Sequence, residues 1–197
     1  MRRFVIPAVL AMGLLAAMVR AEETPMKERK GLVSMHGNPL TLVGNELKVG
    51  DKAPDAELAG NDLKPVKLSS FQGKTVVLCS VPSLDTKTCD LETRKFNEKA
   101  GALGEGVAVV VVSMDLPFAQ SRWCGAAGVK NVVTLSDHRE AAFGTAYGVL
   151  MKENRLLARA VFVVDREGVI RYVEIVPVLS DEPNYEAALA EVKKLAK

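Results

Sequence analysis

Three apolar runs constrain the fold of this chain more than any other feature of its sequence. They read TVVLCSV at residues 75–81, VAVVVVS at 107–113 and AVFVVD at 160–165. The second run shows no alternation of apolar and polar residues, which is typical of a strand that is covered on both faces. The runs therefore predict strands in the interior of a sheet.

Helical patterns separate these strands along the chain. The predicted helices are residues 86–103, 119–127, 139–147 and 184–197, and the further predicted strands are 62–69, 131–135 and 169–176. The last of these strands forms a hairpin with 160–165, and LVSMHGNPLTLVG at 32–44 predicts another hairpin. This order predicts an α/β protein with a thioredoxin-like fold: a mixed central sheet, helices on both faces and an N-terminal β-hairpin.

The first 21 residues have the layout of a secretory signal peptide. Arg2 and Arg3 precede an apolar stretch of sixteen residues, and Val19-Arg20-Ala21 offers a small-x-small cleavage site. The apolar stretch is shorter than the ~20 residues that span a bilayer. We therefore expect cleavage near Ala21, export to the periplasm or beyond, and no stable membrane insertion. An uncleaved anchor is the alternative.

The remainder of the chain has the length of one domain. We expect residues 22–31 to be a flexible leader and 32–197 to form that domain. The formal net charge of +2 becomes −1 without residues 1–21, because they carry three arginines and no acid. No basic footprint for nucleic acid is left.

The cysteines and histidines exclude the commonest metal and redox motifs. Cys79, Cys89 and Cys124 form no CxxC pair, and their odd number leaves at least one thiol unpaired or only sometimes paired. His36 and His138 are far from any cysteine at ligand spacing. We therefore predict no metal and no cofactor.

The stretch PSLDTKTC at residues 82–89 places Cys89 in the first turn of the helix that follows strand 75–81. Asp85 and Thr86 are both good N-caps. Unpaired N–H groups and the positive end of the dipole favour a thiolate there. A dipole contributes only about 0.3–2 kcal/mol, so activation of a thiol requires a cation or further hydrogen bonds.

Topology suggests the cation. In a sheet of this kind, residues 160–165 run antiparallel to 75–81, so the beginning of one strand lies beside the end of the other. Arg159 stands at that beginning, immediately before an apolar run where a charge is otherwise unfavourable. Arg94 and Arg122 are the alternatives.

The other cysteines have more than one interpretation. Cys124 follows strand 107–113, so we expect it, like Cys89, to begin a helical segment at one edge of the sheet. A permanent structural disulfide is the alternative, since an exported protein can form one. Cys79 lies inside a strand, where a buried cysteine packs as a small hydrophobe or serves as another disulfide partner.

At this point several segments resemble a known family. VPSLDTKTC contains the pattern PxxxTxxC and is followed by ETRKFNEKA, DLPFAQSRWCGAAGVKNVVTLSD, AYGVL, LARAVFVVD and EPNYEAALA. The chain from Gly31 onward resembles the peroxiredoxins, and more closely the bacterial thiol peroxidases, which are atypical two-cysteine peroxiredoxins. The segment DLPFAQSRWC makes the resemblance specific.

The resemblance implies an antioxidant enzyme and a role for five residues. Cys89 would be the peroxidatic cysteine and Cys124 the resolving cysteine. Thr86 would hydrogen-bond peroxide and thiolate, Pro82 would shield the sulfur from solvent, and Arg159 would support the thiolate and the transition state. It further implies a hydroperoxide substrate, a thioredoxin-like dithiol reductant and a homodimer. The resemblance also implies a preference for alkyl or lipid hydroperoxides, which is consistent with apolar residues near the motifs: Leu84, Phe118 and Trp123.

Two departures from the family pattern qualify this interpretation. Lys87 and Thr88 stand where many relatives carry a small and an apolar residue, although neither position is fixed in the motif. The signal peptide leaves the reductant open, because familiar members work with thioredoxin in the cytosol. An envelope thiol–disulfide oxidoreductase and a non-enzymatic module with a static Cys89–Cys124 bridge are the alternative functions.

Overall fold

The computed structural model describes residues 26–195 of the 197-residue chain. The expected signal peptide and the first part of the expected leader lie outside these residues. The described strands are β1 (Glu28–Met35), β2 (Asn38–Val43), β3 (Glu57–Ala59), β4 (Pro65–Lys67), β5 (Thr75–Ser80), β6 (Val107–Ser113), β7 (Val133–Ser136), β8 (Leu150–Met151), β9 (Ala160–Val164) and β10 (Ile170–Ile175). The described helices are α1 (Lys87–Ala100), α2 (Pro117–Ala127), α3 (Ala142–Ala146) and α4 (Tyr185–Leu195), with a 3-10 helix at Leu68–Phe71.

The central sheet is mixed, as predicted. Its strand order is β10-β9-β5-β6-β7-β3-β4. β5, β6 and β7 are parallel, whereas β9 pairs antiparallel with β5 and with β10. The parallel strands end at one edge of the sheet, so the loops that lead into α1 and α2 leave from the same edge.

The alternation of side chains along β5 divides the core into two layers. Val76 and Leu78 face a layer that includes α3 and the N-terminal hairpin, while Val77 and Cys79 face a layer that includes parts of α1, α2 and α4. Helices therefore cover both faces, as predicted. Between residues 26 and 195, no helix is both long and apolar enough to cross a membrane.

The N-terminal hairpin is present and longer than predicted. His36 and Gly37 form its turn with φ angles of 51° and 79°, and β8 adds a third strand beside β2. β1 begins at Glu28 and pairs with β2 from there. The expectation of a flexible leader is therefore wrong for residues 28–31, because charged side chains can face solvent while the backbone of an edge strand pairs.

Three shorter expectations also change. The strand predicted at 62–69 is only β4, since the chain turns into the 3-10 helix directly after it. The helix predicted at 139–147 contracts to α3, and β3 was missed because it is three residues long. The strand predicted at 131–135 is β7, which begins only at Val133.

Candidate active site

Cys89 is the third residue of α1 and has no solvent-accessible surface. Residues 81–86 carry the chain from the end of β5 into this helix. Thr86 is the N-cap residue by backbone conformation, but its side chain does not cap the helix. Its hydroxyl donates instead to the Ser83 carbonyl oxygen at 2.9 Å. The hydroxyl is therefore oriented toward Ser83, and the predicted side-chain cap is not formed.

Asp115 holds the loop that precedes Cys89. One of its carboxylate oxygens accepts from Ser83 Oγ at 2.7 Å, and the other accepts from Leu84 N at 2.8 Å and Ser113 Oγ at 2.8 Å. Pro82, which precedes these residues, is buried. Sequence reasoning missed this aspartate, although its position just after β6 at the same sheet edge was a usable signal.

Arg159 lies directly against Cys89. Ala160 pairs with Ser80, so the residue before β9 stands at the carboxyl end of β5. Arg159 Nη2 is 3.4 Å from Cys89 Sγ and 2.9 Å from the Leu179 carbonyl oxygen. Burial alone would lower the pKa of Arg159, but Glu92 and Cys89 raise it, so the guanidinium keeps its charge in the interior.

The two alternative arginines point elsewhere. Arg94 bonds to Asp90 at 2.9 Å and to the Ala127 carbonyl oxygen at 3.0 Å, and Arg122 is 3.9 Å from Asp85. Both arginines are exposed. Within residues 26–195, the arginine that forms a hydrogen bond to Cys89 is therefore Arg159.

Glu92 completes the surroundings of Cys89 and was not predicted. It is fully buried and its Oε2 pairs with Arg159 Nη1. Burial raises the pKa of Glu92 to about 7, although the charge of Arg159 acts in the opposite direction. The sequence did contain a sign of its role. Glu92 lies three residues after Cys89 and therefore on the same face of α1, and a charged residue on a buried face needs a partner.

Cys124 occupies a different kind of place. It is the eighth of the 11 residues of α2 and is half-buried, with Sγ 3.3 Å from Thr134 Oγ1. The expectation that it begins a helical segment is therefore wrong, because α2 starts at Pro117. At 1.5 Å per residue, Cys124 lies about 10 Å along the helix from its start.

The structure contains all three cysteines as free thiols. Cys79 is fully buried in β5, and burial, followed by the charge of Glu92, raises the pKa of its thiol well above the ordinary value. These surroundings favour packing over nucleophilic chemistry at Cys79. The structure therefore contains no Cys89–Cys124 disulfide between its described residues.

The side chain of Cys89 is closed off from solvent. A cavity of about 210 Å³ lies at the amino end of β5, against Val76, Leu78 and Tyr147, whereas Cys89 follows its carboxyl end. A small substrate therefore needs a local opening to reach the sulfur. Within residues 26–195, no group of three His, Cys, Asp or Glu side chains is arranged to hold a metal ion.

Comparison with known proteins gives a consistent family. Residues 48–189 match the Redoxin family. A thiol peroxidase of Listeria innocua is 54% identical over 162 residues, covering 82% of this chain and 98% of that protein. A thiol peroxidase of Bacillus subtilis is 50% identical over 165 residues, covering 84% and 98%.

Solved structures agree with these relatives. A peroxiredoxin-like protein of Aquifex aeolicus superposes with a TM-score of 0.79 at 46% identity, covering 87% of this chain and 99% of that one. A thiol peroxidase of Chromobacterium violaceum shares the fold, with a TM-score of 0.75 at 21% identity and coverage of 87% and 98%. Identity near one half over almost the whole length of the relatives is enough to assign both fold and activity, and this chain belongs to the thiol peroxidase family of Redoxin-domain enzymes.

Proposed function

We propose that this thiol peroxidase reduces hydroperoxides through a sulfenic acid on Cys89, which Cys124 resolves to an intramolecular disulfide. The observation that carries the proposal is the 3.4 Å contact between Arg159 Nη2 and Cys89 Sγ. A buried guanidinium against a helix-terminal cysteine stabilises a thiolate, which is the nucleophilic form. Neither of the other cysteines has a recorded hydrogen bond to an arginine within residues 26–195.

In the first step, the Cys89 thiolate attacks the terminal oxygen of the hydroperoxide. An S–O bond forms and the O–O bond breaks, with its electron pair leaving on the other oxygen. That oxygen takes a proton and departs as an alcohol, or as water from hydrogen peroxide, and Cys89 becomes a sulfenic acid. Arg159 is positioned to stabilise the charge that moves across the O–O bond.

Thr86 and Pro82 assist this step in different ways. The Thr86 hydroxyl donates to Ser83 in the unliganded site, so its oxygen remains free to accept a hydrogen bond from the peroxide proton. Pro82 is buried at the head of the loop and limits the access of water to the sulfur. Catalytic hydrogen bonds commonly tighten only when substrate binds.

In the second step, the Cys124 thiolate attacks the sulfenic sulfur of Cys89 and displaces hydroxide, which leaves as water. A disulfide requires the two Cα atoms to come within about 7 Å. Cys89 is enclosed in α1 and Cys124 lies well inside α2, so we expect the first turn of α1 and the segment around α2 to unwind. A dithiol protein of the thioredoxin type then restores both thiols by exchange.

Residues 1–21 support export of the enzyme, and its reductant is then a dithiol protein of that compartment. N-terminal sequencing of the protein recovered from the envelope or the medium tests this. A mature terminus near Glu22 is expected. A full-length chain held in the cytosol would contradict export.

Apolar surface beside the site supports a preference for alkyl or lipid hydroperoxides and a homodimer. Leu116 and Phe118 are 53% and 65% exposed and lie at the start of α2. Exposed apolar side chains of this size mark binding surfaces when they cluster. Sedimentation of the reduced protein tests the dimer, and competition between cumene hydroperoxide and hydrogen peroxide tests the preference.

One experiment tests the roles of both cysteines. The protein is reduced with dithiothreitol, freed of reductant, given about one equivalent of cumene hydroperoxide, and mapped by mass spectrometry under non-reducing conditions. We expect a rapid Cys89–Cys124 link with Cys79 still free, since burial makes Cys79 a poor nucleophile. A link through Cys79, or none, would overturn the mechanism.

A further inference from the structure

The buried site at Cys89 contains one cation and two groups that can become anions. Arg159 directs Nη1 to Glu92 Oε2 and Nη2 to Cys89 Sγ. Arg159 is 1% exposed, and Glu92 and Cys89 have no exposed surface. The guanidinium therefore bridges a carboxyl group and a thiol, shielded from water.

The pairing of Glu92 is incomplete. Its second oxygen, Oε1, is buried and has no hydrogen-bond partner among the described residues, and the same holds for Arg159 Nε. A carboxylate with an unsatisfied buried oxygen is costly, whereas a protonated carboxyl group is much less so. This agrees with the rise of the pKa of Glu92 to about 7 by burial.

Charge balance couples the two groups. When Glu92 is ionised, it neutralises Arg159, and a thiolate on Cys89 would be a second buried anion. When Glu92 is protonated, the thiolate can be the only counterion of Arg159. Ionisation of either group therefore opposes ionisation of the other.

We propose that Glu92 is a positioning residue which shares Arg159 with Cys89, and that its protonation transfers the guanidinium charge to the thiolate. Glu92 thereby sets how much of Cys89 is reactive near neutral pH. The inference rests on the proposed function, in which Cys89 attacks the peroxide.

The other groups that act on Glu92 have partners of their own. Glu174 accepts from Tyr172 and the Asn184 backbone, and Glu182 pairs with Lys95 and Tyr185. The negative charges of Glu174 and Glu182 raise the pKa of Glu92 further, whereas the positive charge of Arg159 lowers it. Burial, followed by the charge of Glu92, raises the pKa of the Cys79 thiol. Burial, followed by the hydrogen bond to Glu182 and then by the charge of Glu92, raises the pKa of the Tyr185 hydroxyl. Neither neutral group competes for Arg159.

The test compares Glu92→Gln with the parent protein, both as full chains carrying Cys79→Ala and Cys124→Ser. Glutamine retains an oxygen that accepts from Arg159 but removes the charge. Thiolate is read from its ultraviolet absorbance against a matched chain that also carries Cys89→Ser. We expect equal thiolate fractions in acid and a fraction up to about tenfold higher in Glu92→Gln near neutral pH, which corresponds to about one pH unit.

A merely structural role would give a different result. A thiolate fraction in Glu92→Gln that is unchanged or lower at every pH would overturn the proposal. Glu191→Gln is the control, because Glu191 pairs with Lys194 on α4 and is not one of the groups whose charge acts on Glu92, so its thiolate curve should match that of the parent.

A reciprocal measurement does not require any Glu92 variant to fold. In chains labelled with carbon-13 at the glutamate carboxyl groups, the signal that titrates nearest pH 7 reports Glu92. Replacement of Cys89 by serine removes the competing anion, so this signal should titrate at lower pH. An unchanged titration would contradict the coupling. Since neither measurement uses peroxide, the coupling and the peroxidase role of Cys89 stand or fall separately.

Discussion

Helix α1 contains Cys89 and helix α2 contains Cys124, and the two helices are attached to the rest of the protein in different ways. α1 buries Cys89, Glu92, Thr93 and Phe96 on one face and joins an ion pair that is inaccessible to water. α2 buries Pro117, Gln120 and Trp123 but leaves Leu116 and Phe118 at its start in solvent. In the proposed mechanism this difference corresponds to a division of work: α1 would hold the electrostatic surroundings of Cys89 fixed, and α2 would be the segment that opens.

The hydrogen bonds of the two helices support this division. Bonds between buried charged groups, such as Glu92 and Arg159, have no water to replace them if they break. Trp123 Nε1 donates to Asp90 at 2.9 Å in a partly buried position, and Arg94 donates to the Ala127 carbonyl oxygen at the protein surface. The side chains of Arg94 and Asp90 are 45% and 35% exposed, so water reaches them. Water can replace these bonds, so opening α2 is less costly than opening the surroundings of Arg159.

Exchanging the cysteines one at a time should give the largest effect. Cys89→Ser should abolish peroxide consumption, because it removes the thiol that the Arg159 guanidinium contacts at 3.4 Å. Cys124→Ser should consume about one equivalent of peroxide per chain and then stop, with Cys89 left as sulfenic acid. Peroxide assays and intact-mass analysis measure both. If both variants failed to consume the first equivalent of peroxide, Cys89 and Cys124 would not have the separate roles proposed for them.

Removing Arg159 should cost the most folding free energy. Arg159→Met leaves Glu92 buried without a partner, and breaking a buried pair in this way costs about 3–5 kcal/mol. The additional change Glu92→Leu should recover most of that stability and none of the activity. Urea denaturation measures the first effect and peroxide assays the second.

The exposed Arg122 provides the control for this prediction. Arg122→Met should change the free energy of unfolding by less than about 0.5 kcal/mol, because its pair with Asp85 is 3.9 Å long and solvent-exposed. If the double variant were no more stable than Arg159→Met alone, the two charges would not depend on each other.

Sequence reasoning was most successful where a pattern and a topology agreed. The run at Val107–Ser113 matched β6 along its whole length. The position of Arg159 beside the end of β5 followed from strand direction and from a charge in an apolar context. Both conclusions depended on main-chain geometry, which apolar periodicity determines well.

The sequence was less informative about side-chain partners. The burial of Glu92 was not predicted, because the residue that compensates its charge, Arg159, is 67 positions away in the chain. Cys124 was misplaced: it is the eighth residue of α2 and not near its start, which is Pro117. Thr86 is an N-cap by conformation, yet its hydroxyl has another partner. Such choices are decided by tertiary contacts and by competing local hydrogen bonds, which no periodicity records.

The pH dependence of stability should report the buried carboxyl group of α1. Because the folded-state pKa of Glu92 is about 7, above its unfolded value of about 4.5, the folded protein binds the extra proton between these values. Its contribution to stability is therefore complete below about pH 4.5 and is lost as the pH rises through 7. Relative to Glu92→Gln, the parent should lose up to about 3 kcal/mol across this window, as measured by urea denaturation at several pH values.

A control of opposite sign is available at Glu182. The hydrogen bond from Lys95, followed by that from Tyr185, lowers the pKa of Glu182. Its contribution to stability is present above the unfolded pKa and is lost as the pH falls through the folded value. Glu182→Gln should therefore lose stability near neutral pH and little in acid. A parent and a Glu92→Gln curve that run parallel would mean that Glu92 carries no such proton.

The smallest expected effect concerns the attachment of α2 to α1. Trp123→Phe keeps an aromatic ring beneath Arg94, whose guanidinium lies 5.7 Å from the ring centroid, but removes the N–H that bonds to Asp90. Loss of one such bond is worth about 1 kcal/mol. If α2 must open before Cys124 can reach Cys89, disulfide formation should become up to about fivefold faster. Acid quenching followed by non-reducing mass spectrometry measures this rate.

The first step separates this effect from a general loosening of the site. Trp123→Phe leaves the contact between Arg159 and Cys89 untouched, so the rate of sulfenic acid formation should not change. Arg122→Ala, at the neighbouring exposed position, should alter neither rate. Slower disulfide formation in Trp123→Phe would mean that the hydrogen bond to Asp90 helps to bring Cys124 toward Cys89. The contact between α2 and α1 would then stabilise the reacting conformation more than the resting one.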